Sequence, residues 1–163
     1  MNLKKLFSLQ LELDNRIIEE HRLEGRNVFK EKILALQVEV GELANETRCF
    51  KYWSHKSAAP HEKILEEYVD GVHFILSIGL SLNYTGTIND IQREHKSTNL
   101  VEQFQVVFSK ISAFVHQSTI ETFEDLFNEY LVLGEILGFT TNDIEEAYYK
   151  KNEINHQRQD EGY

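Results

Sequence analysis

Four acidic side chains occupy two pairs of positions that share the spacing of one helical face. Glu39 and Glu42 stand three residues apart, and Glu67 and Asp70 repeat that spacing further along the chain. Residues at i and i+3 lie on the same face of an α-helix. Two helices joined by a loop pack antiparallel, so the two acidic pairs are expected to face each other. Four like charges on core-facing surfaces need a counter-charge, and oxygen ligands select hard cations such as Mg²⁺ or Mn²⁺.

A solvated helix surface is the alternative explanation for each acidic pair, and acids near a helix start also complement its dipole. Gly41 favours a functional site, because a glycine inside a helix costs about 1 kcal/mol relative to alanine and so indicates a close approach by another group. His73 follows Asp70 on the same face, where a core or supporting role is commoner than metal ligation.

Cationic and aromatic side chains could complement an anionic ligand of this site. Lys151, Asn155 and Arg158 fall at i, i+4 and i+7 along one helix face, a pattern that suits a polyphosphate. Alternatively, these cations neutralise the carboxyl end of a helix dipole. Lys51 and Trp53 follow the first acidic pair and either supply a phosphate contact and an apolar wall or simply pack at a helix end. Together these residues predict a metal–polyphosphate site.

Helical periodicity covers most of the chain and supplies the elements that must position these groups. Apolar spacing predicts helices over about 3–22, 28–49, 61–82, 100–116, 120–137 and 140 to the C-terminus. Pro60 precedes the third helix, Ser118 and Glu121 form a capping box before the fifth, and Gly138 ends it. The polar segment 83–99 is predicted to be a mobile loop. We therefore expect one all-α domain spanning the whole chain, a bundle of five or six helices with a central four-carboxylate metal site.

Composition restricts the function classes. The 163 residues suit one domain, and 17 Lys and Arg against 27 Asp and Glu give a net charge of −10. That charge argues against binding to nucleic acid or to an anionic membrane surface. A lone cysteine, Cys49, fits a reducing compartment, and early acidic residues argue against a signal peptide. The most apolar stretch, 74–82, is too short to span a bilayer. These features predict a cytoplasmic protein.

Several further segments accompany the acidic pairs in a specific order. They are Gln10-x-x-Leu13-Asp14, the run from Glu39 to Asn45 leading to Phe50-Lys51-x-Trp53, Asp70-x-x-His73-Phe74, and the tail from Lys151 to Tyr163. In this combination the chain resembles the dimeric dUTPases, a branch of the all-α NTP pyrophosphatases that include MazG. The resemblance covers the first 83 and the last 15 residues well.

The resemblance implies an α-helical homodimer that hydrolyses dUTP, and also dUDP, to dUMP, and so limits uracil incorporation into DNA. It implies that the four carboxylates bind Mg²⁺, with more than one ion per site, and that Glu39 orients or deprotonates the attacking water. The implied substrate contacts are Gln10, Trp53 and His73 for uracil and deoxyribose, and Lys151, Asn155 and Arg158 for the phosphates, with Asn152 and Tyr163 in support. Asp14 departs from the pattern, because some relatives have asparagine there.

Two other functions remain as alternatives. One is a house-cleaning pyrophosphatase for other nucleoside triphosphates, against which Phe50-Lys51-x-Trp53 and the tail argue. The other is a non-catalytic helical interaction module whose acidic residues are merely solvated. Because metal ions would compensate the acidic site, the negative net charge is compatible with a phosphate substrate that arrives with metal.

Overall fold

The computed structural model describes residues 1–84 and 99–162, and most of the predicted mobile loop at 83–99 lies outside the described residues. The described residues form six α-helices and no strand, which confirms the all-α prediction. The helices are α1 Leu3–Glu20, α2 Phe29–Thr47, α3 His61–Ser81, α4 Leu100–His116, α5 Ile120–Ile136 and α6 Thr141–Asp160. None of them has the length and apolar character needed to cross a membrane.

Helices α2 and α3 form an antiparallel hairpin. Near one end Lys32 Nζ donates to Ser77 O at 3.3 Å, and near the other the Ala59 amide donates to Glu46 O at 2.9 Å. The pairing follows from sequence, because α2 buries positions three and four residues apart while α3 is apolar on most faces. The middle of each helix, where the acidic pairs stand, therefore lies opposite the middle of the other.

Helices α4 and α5 form a second antiparallel hairpin, whose turn uses different capping residues from those predicted. Thr119 is the N-cap of α5 and exchanges hydrogen bonds with Thr122, whereas Ser118 Oγ donates back to Phe114 O at 2.9 Å. The predicted capping box of Ser118 and Glu121 is thus wrong by one residue, since Ser118 still belongs to the turn that ends α4. Gly138, with φ 87°, ends α5 as predicted.

A reciprocal pair of tyrosines, here called the tyrosine lock, joins α3 to α5. The rings of Tyr68 and Tyr130 stack with centroids 4.7 Å apart. Each hydroxyl donates to the other residue's backbone carbonyl, at 3.1 Å from Tyr68 and 2.8 Å from Tyr130. Gly71 leaves room for the Tyr130 hydroxyl and Gly134 for the Tyr68 hydroxyl. The lock holds the acidic part of α3 against α5.

Helix α6 packs against α1 and brings its polar face towards α3. Thr140 caps its start in a capping box with Asp143, and the helix begins where the sequence predicted it. Arg16 Nη2 bonds Asp160 Oδ1 at 2.5 Å, and Tyr148 OH donates to Gln10 Oε1 at 2.9 Å. These contacts fix α6 against α1, and Lys151 of α6 reaches Glu66 and Asp70 of α3.

Candidate active site

Three of the four predicted carboxylates converge between α2 and α3. Each of Glu39, Glu67 and Asp70 offers an oxygen, and these atoms lie within 4.8 Å of one another. Glu67 is buried, whereas Glu39 and Asp70 are half-buried. Glu42 is exposed and lies outside this three-residue group, although its charge acts on Glu39. We call Glu39, Glu67 and Asp70 the carboxylate triad.

The triad carries more negative charge than its surroundings favour. Burial raises the pKa of Glu39 from 4.5 to about 7, and repulsion from Asp70, Glu42 and Glu67 adds to that shift. Burial also raises the pKa of Asp70, against the opposing effect of Lys151. A set of oxygen donors with surplus negative charge is the arrangement that hard divalent cations favour.

Two lysines provide the positive charge next to the triad. Lys151 Nζ is buried and donates to Asp70 Oδ2 at 2.7 Å and to Glu66 Oε1 at 3.2 Å. Burial alone would lower the pKa of Lys151, but its bonds and ion pairs with Asp70 and Glu66 outweigh that effect and raise it. Lys63 Nζ lies 2.6 Å from Glu67 Oε1. Lys63 was missed by sequence reasoning, although its i, i+4 spacing from Glu67 signalled the pair.

A cleft opens beside these lysines, between the start of α3 and α6. Its volume is about 610 Å³, and it has an apolar floor. Charged side chains of both signs line it: Glu62, Lys63, Glu66, Asp143, Glu146, Lys150 and Lys151. Ligand clefts for small molecules commonly measure some 300–1,000 Å³. The cleft is therefore large enough for a small ligand, and Lys151 connects its lining to Asp70 of the triad.

A second buried polar group lies deeper, between α1, α3 and α6. Gln10 Oε1 is 2.8 Å from His73 Nδ1, and the His73 ring stacks on Tyr148 with centroids 4.1 Å apart. Asp14 accepts from Gln10 Nε2 at 2.7 Å and pairs with Lys32. The structure thus brings together two predicted substrate residues, Gln10 and His73. Lys32 and Tyr148 carried no sequence signal, because only tertiary packing brings them here.

A sequence model of a family described as dUTPase matches residues 2–163. The chain belongs to the dimeric, all-α dUTPase family. Its family activity is the hydrolysis of dUTP, and the chain is accordingly an enzyme of the dUTP diphosphatase class. Comparison with curated proteins gives no significant match.

The other α6 residues that the dUTPase resemblance implies as phosphate-binding differ in how deeply they are buried. Asn152 is buried, and its Oδ1 has no hydrogen-bond partner among the described residues. Asn155 and Arg158 are half-buried, and Arg158 Nη1 is 3.4 Å from Asn155 Oδ1. Tyr163 lies outside the described residues. Lys151 therefore lies beside α3, one to two turns from Asn155 and Arg158, whereas Asn152 lines a cleft between α1 and α6.

The structure does not bring Trp53 together with Gln10 and His73 in one chain. Trp53 is 64% exposed, and its ring packs on Phe50 and Tyr52 in the segment between α2 and α3. That segment ends at Pro60, whereas His73 lies 13 residues further along α3, about 20 Å at 1.5 Å per residue. Among the described residues, the ring contacts of Trp53 are with Phe50 and Tyr52, not with Gln10 or His73.

Proposed function

We propose that this dUTPase cleaves dUTP to dUMP and pyrophosphate with Mg²⁺, or Mn²⁺, held by the carboxylate triad. The observation that carries the proposal is the convergence of three carboxylates from two helices within 4.8 Å. When bound, the metal would neutralise phosphate charge and lower the pKa of a coordinated water. Glu42 stands one turn from Glu39, and we propose that it joins the set when more than one ion is bound.

Glu39 is the proposed base. Bound metal would keep Glu39 ionised and so able to accept a proton, whereas without a metal burial and neighbouring negative charge raise its pKa to about 7. A carboxylate oxygen of Glu39 would take the proton of the water that attacks the substrate's phosphorus. Within the triad, Glu67 and Asp70 each form an ion pair with a lysine. The negative charge of Glu39 is therefore the least neutralised by direct ion pairs.

Helix α6 supplies the proposed phosphate contacts. Lys151 neutralises Asp70 and Glu66 in the metal-free chain, and a divalent cation on the triad would release its ammonium group to a substrate phosphate. Arg158 and Asn155 lie further along α6 and would bind the terminal phosphates, with Asn152 and Tyr163 in supporting roles. The cleft lined by Lys63 and Lys150 gives the triphosphate a route to the triad.

Gln10 and His73 are the proposed contacts to the nucleoside. Both are buried, and a buried hydrogen-bonding group rejects a base that leaves it unpaired. Acceptance of dUDP is proposed as well, since the triad and the nucleoside contacts do not require a third phosphate. A cytoplasmic location remains a prediction, as does the absence of nucleic-acid and membrane partners.

We also propose a homodimer. The face of α2 that points away from the core carries Leu34, which is 61% exposed, and Val38, which is 49% exposed. Gly41 continues this stripe at i+7 and has no atom within 4 Å of an added Cβ. The close approach that Gly41 predicted is thus not made by the described residues of one chain, and a second copy would make it. In such a dimer, Trp53 would reach the base only from the second copy.

Replacing Glu39 by glutamine tests the proposed function. We expect Glu39→Gln to lower dUTP turnover at least a thousandfold, because the variant can neither accept the proton nor complete the metal site. Glu46→Gln on the same helix, outside the triad, is the matched control and should keep turnover within about twofold. Pyrophosphate and phosphate release would be measured from dUTP, dUDP, dCTP, dTTP and UTP, with thermal unfolding to verify the fold.

The outcomes separate the alternatives. Unchanged turnover in Glu39→Gln would overturn the site assignment. Similar rates on all the triphosphates would favour a house-cleaning pyrophosphatase. Absence of both turnover and a Mg²⁺-dependent rise in the unfolding temperature would favour the non-catalytic module.

A further inference from the structure

A chain of hydrogen bonds runs from Lys32 on α2 through Asp14 and Gln10 on α1 to His73 on α3. Asp14 Oδ2 accepts from Lys32 Nζ at 3.3 Å and from Ser77 Oγ at 2.5 Å. Asp14 Oδ1 accepts from Gln10 Nε2 at 2.7 Å. This series of hydrogen bonds includes no residue of the carboxylate triad. It ends at the imidazole ring of His73, which the proposed mechanism uses only as a nucleoside contact.

The carboxylate of Asp14 determines which atom donates and which accepts in each of these hydrogen bonds. A carboxylate paired with lysine only accepts hydrogen bonds, so the nitrogen of the Gln10 amide must face it. The Gln10 oxygen then faces the other way, where Tyr148 OH lies at 2.9 Å and His73 Nδ1 at 2.8 Å. An amide oxygen also only accepts, and therefore Nδ1 of His73 carries a proton.

The other nitrogen of His73 is consequently a bare acceptor. Burial, with a smaller contribution from Lys151, lowers the pKa of His73 to about 3, so the neutral ring holds the single proton already placed on Nδ1. His73 Nε2 is buried and has no hydrogen-bond partner among the described residues. An unpaired acceptor in the interior is unfavourable, and it indicates a group that a ligand satisfies.

We propose that Asp14, acting through Gln10, fixes His73 as the Nδ1–H tautomer and so presents the Nε2 lone pair to a hydrogen-bond donor of the nucleoside. The assignment of the donor to a nucleoside rests on the proposed function, whereas the tautomer does not. A uracil ring has a proton on its imide nitrogen, and cytosine has a lone pair at the same position. The sugar hydroxyl is the other donor of a deoxynucleoside. Asp14 is thus a positioning residue that determines specificity.

Access to Nε2 requires a local movement. The atom is covered in the ligand-free chain, with Tyr148 stacked on the ring and Lys151 acting on it by charge. Both side chains belong to α6, and Lys151 is the group that metal binding would release from Asp70. A ligand donor would therefore reach Nε2 after α6 side chains have shifted.

The substitution Asp14→Asn should reverse the donor and acceptor roles of Gln10 and His73, and it therefore tests the proposal. Lys32 and Ser77 would keep the oxygen of the introduced amide facing them, so its NH₂ group would face Gln10. Gln10 would then turn its oxygen to position 14 and its nitrogen to His73, which would take the Nε2–H tautomer. We would read the tautomer from ¹⁵N–¹H correlation spectra of the full ligand-free chain labelled at histidine, with His73→Gln to assign the signal.

We expect an unprotonated Nε2 in the wild type, a protonated Nε2 in Asp14→Asn, and no change in Ser77→Ala, which keeps the Asp14 carboxylate. The wild-type spectrum decides the tautomer even if Asp14→Asn fails to fold. A protonated Nε2 in the wild type would overturn the proposal, whether or not the chain hydrolyses dUTP. An unprotonated Nε2 in a chain without dUTP turnover would leave the tautomer standing and reject the proposed function.

Substrate selectivity tests the role of the lone pair. In Asp14→Asn we expect kcat/KM for dUTP to fall at least tenfold. If the base is the donor, the ratio of kcat/KM for dUTP over dCTP falls with it, and methylation of the uracil imide nitrogen should abolish the difference between the variant and the wild type. If the sugar hydroxyl is the donor, kcat/KM for dCTP falls equally, and 2′,3′-dideoxyuridine triphosphate should abolish the difference. Addition of dUMP to the wild type should shift the Nε2 resonance. An unchanged ratio together with an unshifted resonance would refute the assignment to a nucleoside donor.

Discussion

Glu39 shows how burial and like charge prepare a carboxyl group for metal. Its neighbours Glu67 and Asp70 bond directly to lysines, whereas Glu39 experiences their negative charge and that of Glu42. Protonation, which its pKa of about 7 allows, is the response available without a metal. Metal binding and protonation therefore compete at this residue.

The raised pKa of Glu39 predicts a pH-dependent stability of the metal-free enzyme. Between pH 4.5 and about 7 the unfolded chain releases this proton while the folded chain keeps it, so the folded state binds more protons. Stability from this group is complete below pH 4.5 and is lost as the pH rises through 7. In EDTA, we expect the unfolding temperature of the wild type to fall more steeply between pH 5 and 8 than that of Glu39→Gln, at roughly 2–4 °C for each kcal/mol of the difference.

Magnesium provides the control for this prediction. Saturating Mg²⁺ should remove the difference in slope, because a metal-bound Glu39 stays ionised throughout this range. Parallel pH profiles of the wild type and Glu39→Gln in EDTA would contradict the assigned pKa.

At the scale of elements, the tyrosine lock fixes the acidic segment of α3 against α5. A Cβ at Gly71 would lie 2.0 Å from the Tyr130 hydroxyl, and that hydroxyl is already bonded to Tyr68 O. The ring is stacked and fully buried, so it has no free space into which it could retreat. Substitution at Gly71 must therefore disturb the lock.

Gly71→Ala should lower the free energy of unfolding by about 1–3 kcal/mol, as expected for overpacking in a core. Gly41→Ala is the matched control in the neighbouring helix when both variants are measured in the Val38→Glu background, because an added Cβ there meets no described atom of the same chain within 4 Å and the charge keeps a second copy away. Its higher helix propensity should raise monomer stability by about 0.5–1 kcal/mol. Urea unfolding of both variants measures the two effects, and equal stabilities would show that the lock tolerates a methyl group.

Element positions could be predicted far better than the contacts between elements. Apolar spacing placed all six helices within a few residues, and Gly138 marked the end of α5. The one-residue error at the start of α5 arose because Ser118 and Thr119 both fit an N-cap, and only the backbone geometry separates them. Helix boundaries are local, and local chemistry predicts them.

The sequence predicted the site residues only where their spacing places them on one face of a single helix. The i, i+3 acids identified the triad, and i, i+4 spacing could have identified Lys63. The pairs of Asp14 with Lys32 and Ser77, 18 and 63 residues away, arise from packing of three helices and leave no periodic trace. The sequence likewise could not show that the Trp53 ring packs on Phe50 and Tyr52 while His73 stacks on Tyr148.

At the scale of the whole molecule, the exposed stripe on α2 predicts self-association. Val38→Glu would place a charge in the proposed interface, and light scattering with size-exclusion chromatography should show a shift from dimer to monomer. Val115→Glu on α4 is the matched control, since Val38 and Val115 are each 49% exposed. A wild type that is monomeric at tens of micromolar, or a Val38→Glu variant that stays dimeric, would refute the interface.

The tyrosine lock also has a consequence for how such sequences diverge. Each tyrosine occupies the gap left by a glycine on the facing helix, so no member of the set Tyr68, Gly71, Tyr130 and Gly134 can change to a larger or smaller residue alone without loss. We expect these four positions to vary together across related chains, as two coupled exchanges, of Tyr68 with Gly134 and of Tyr130 with Gly71. Such covariation would record the α3–α5 contact in sequence alone.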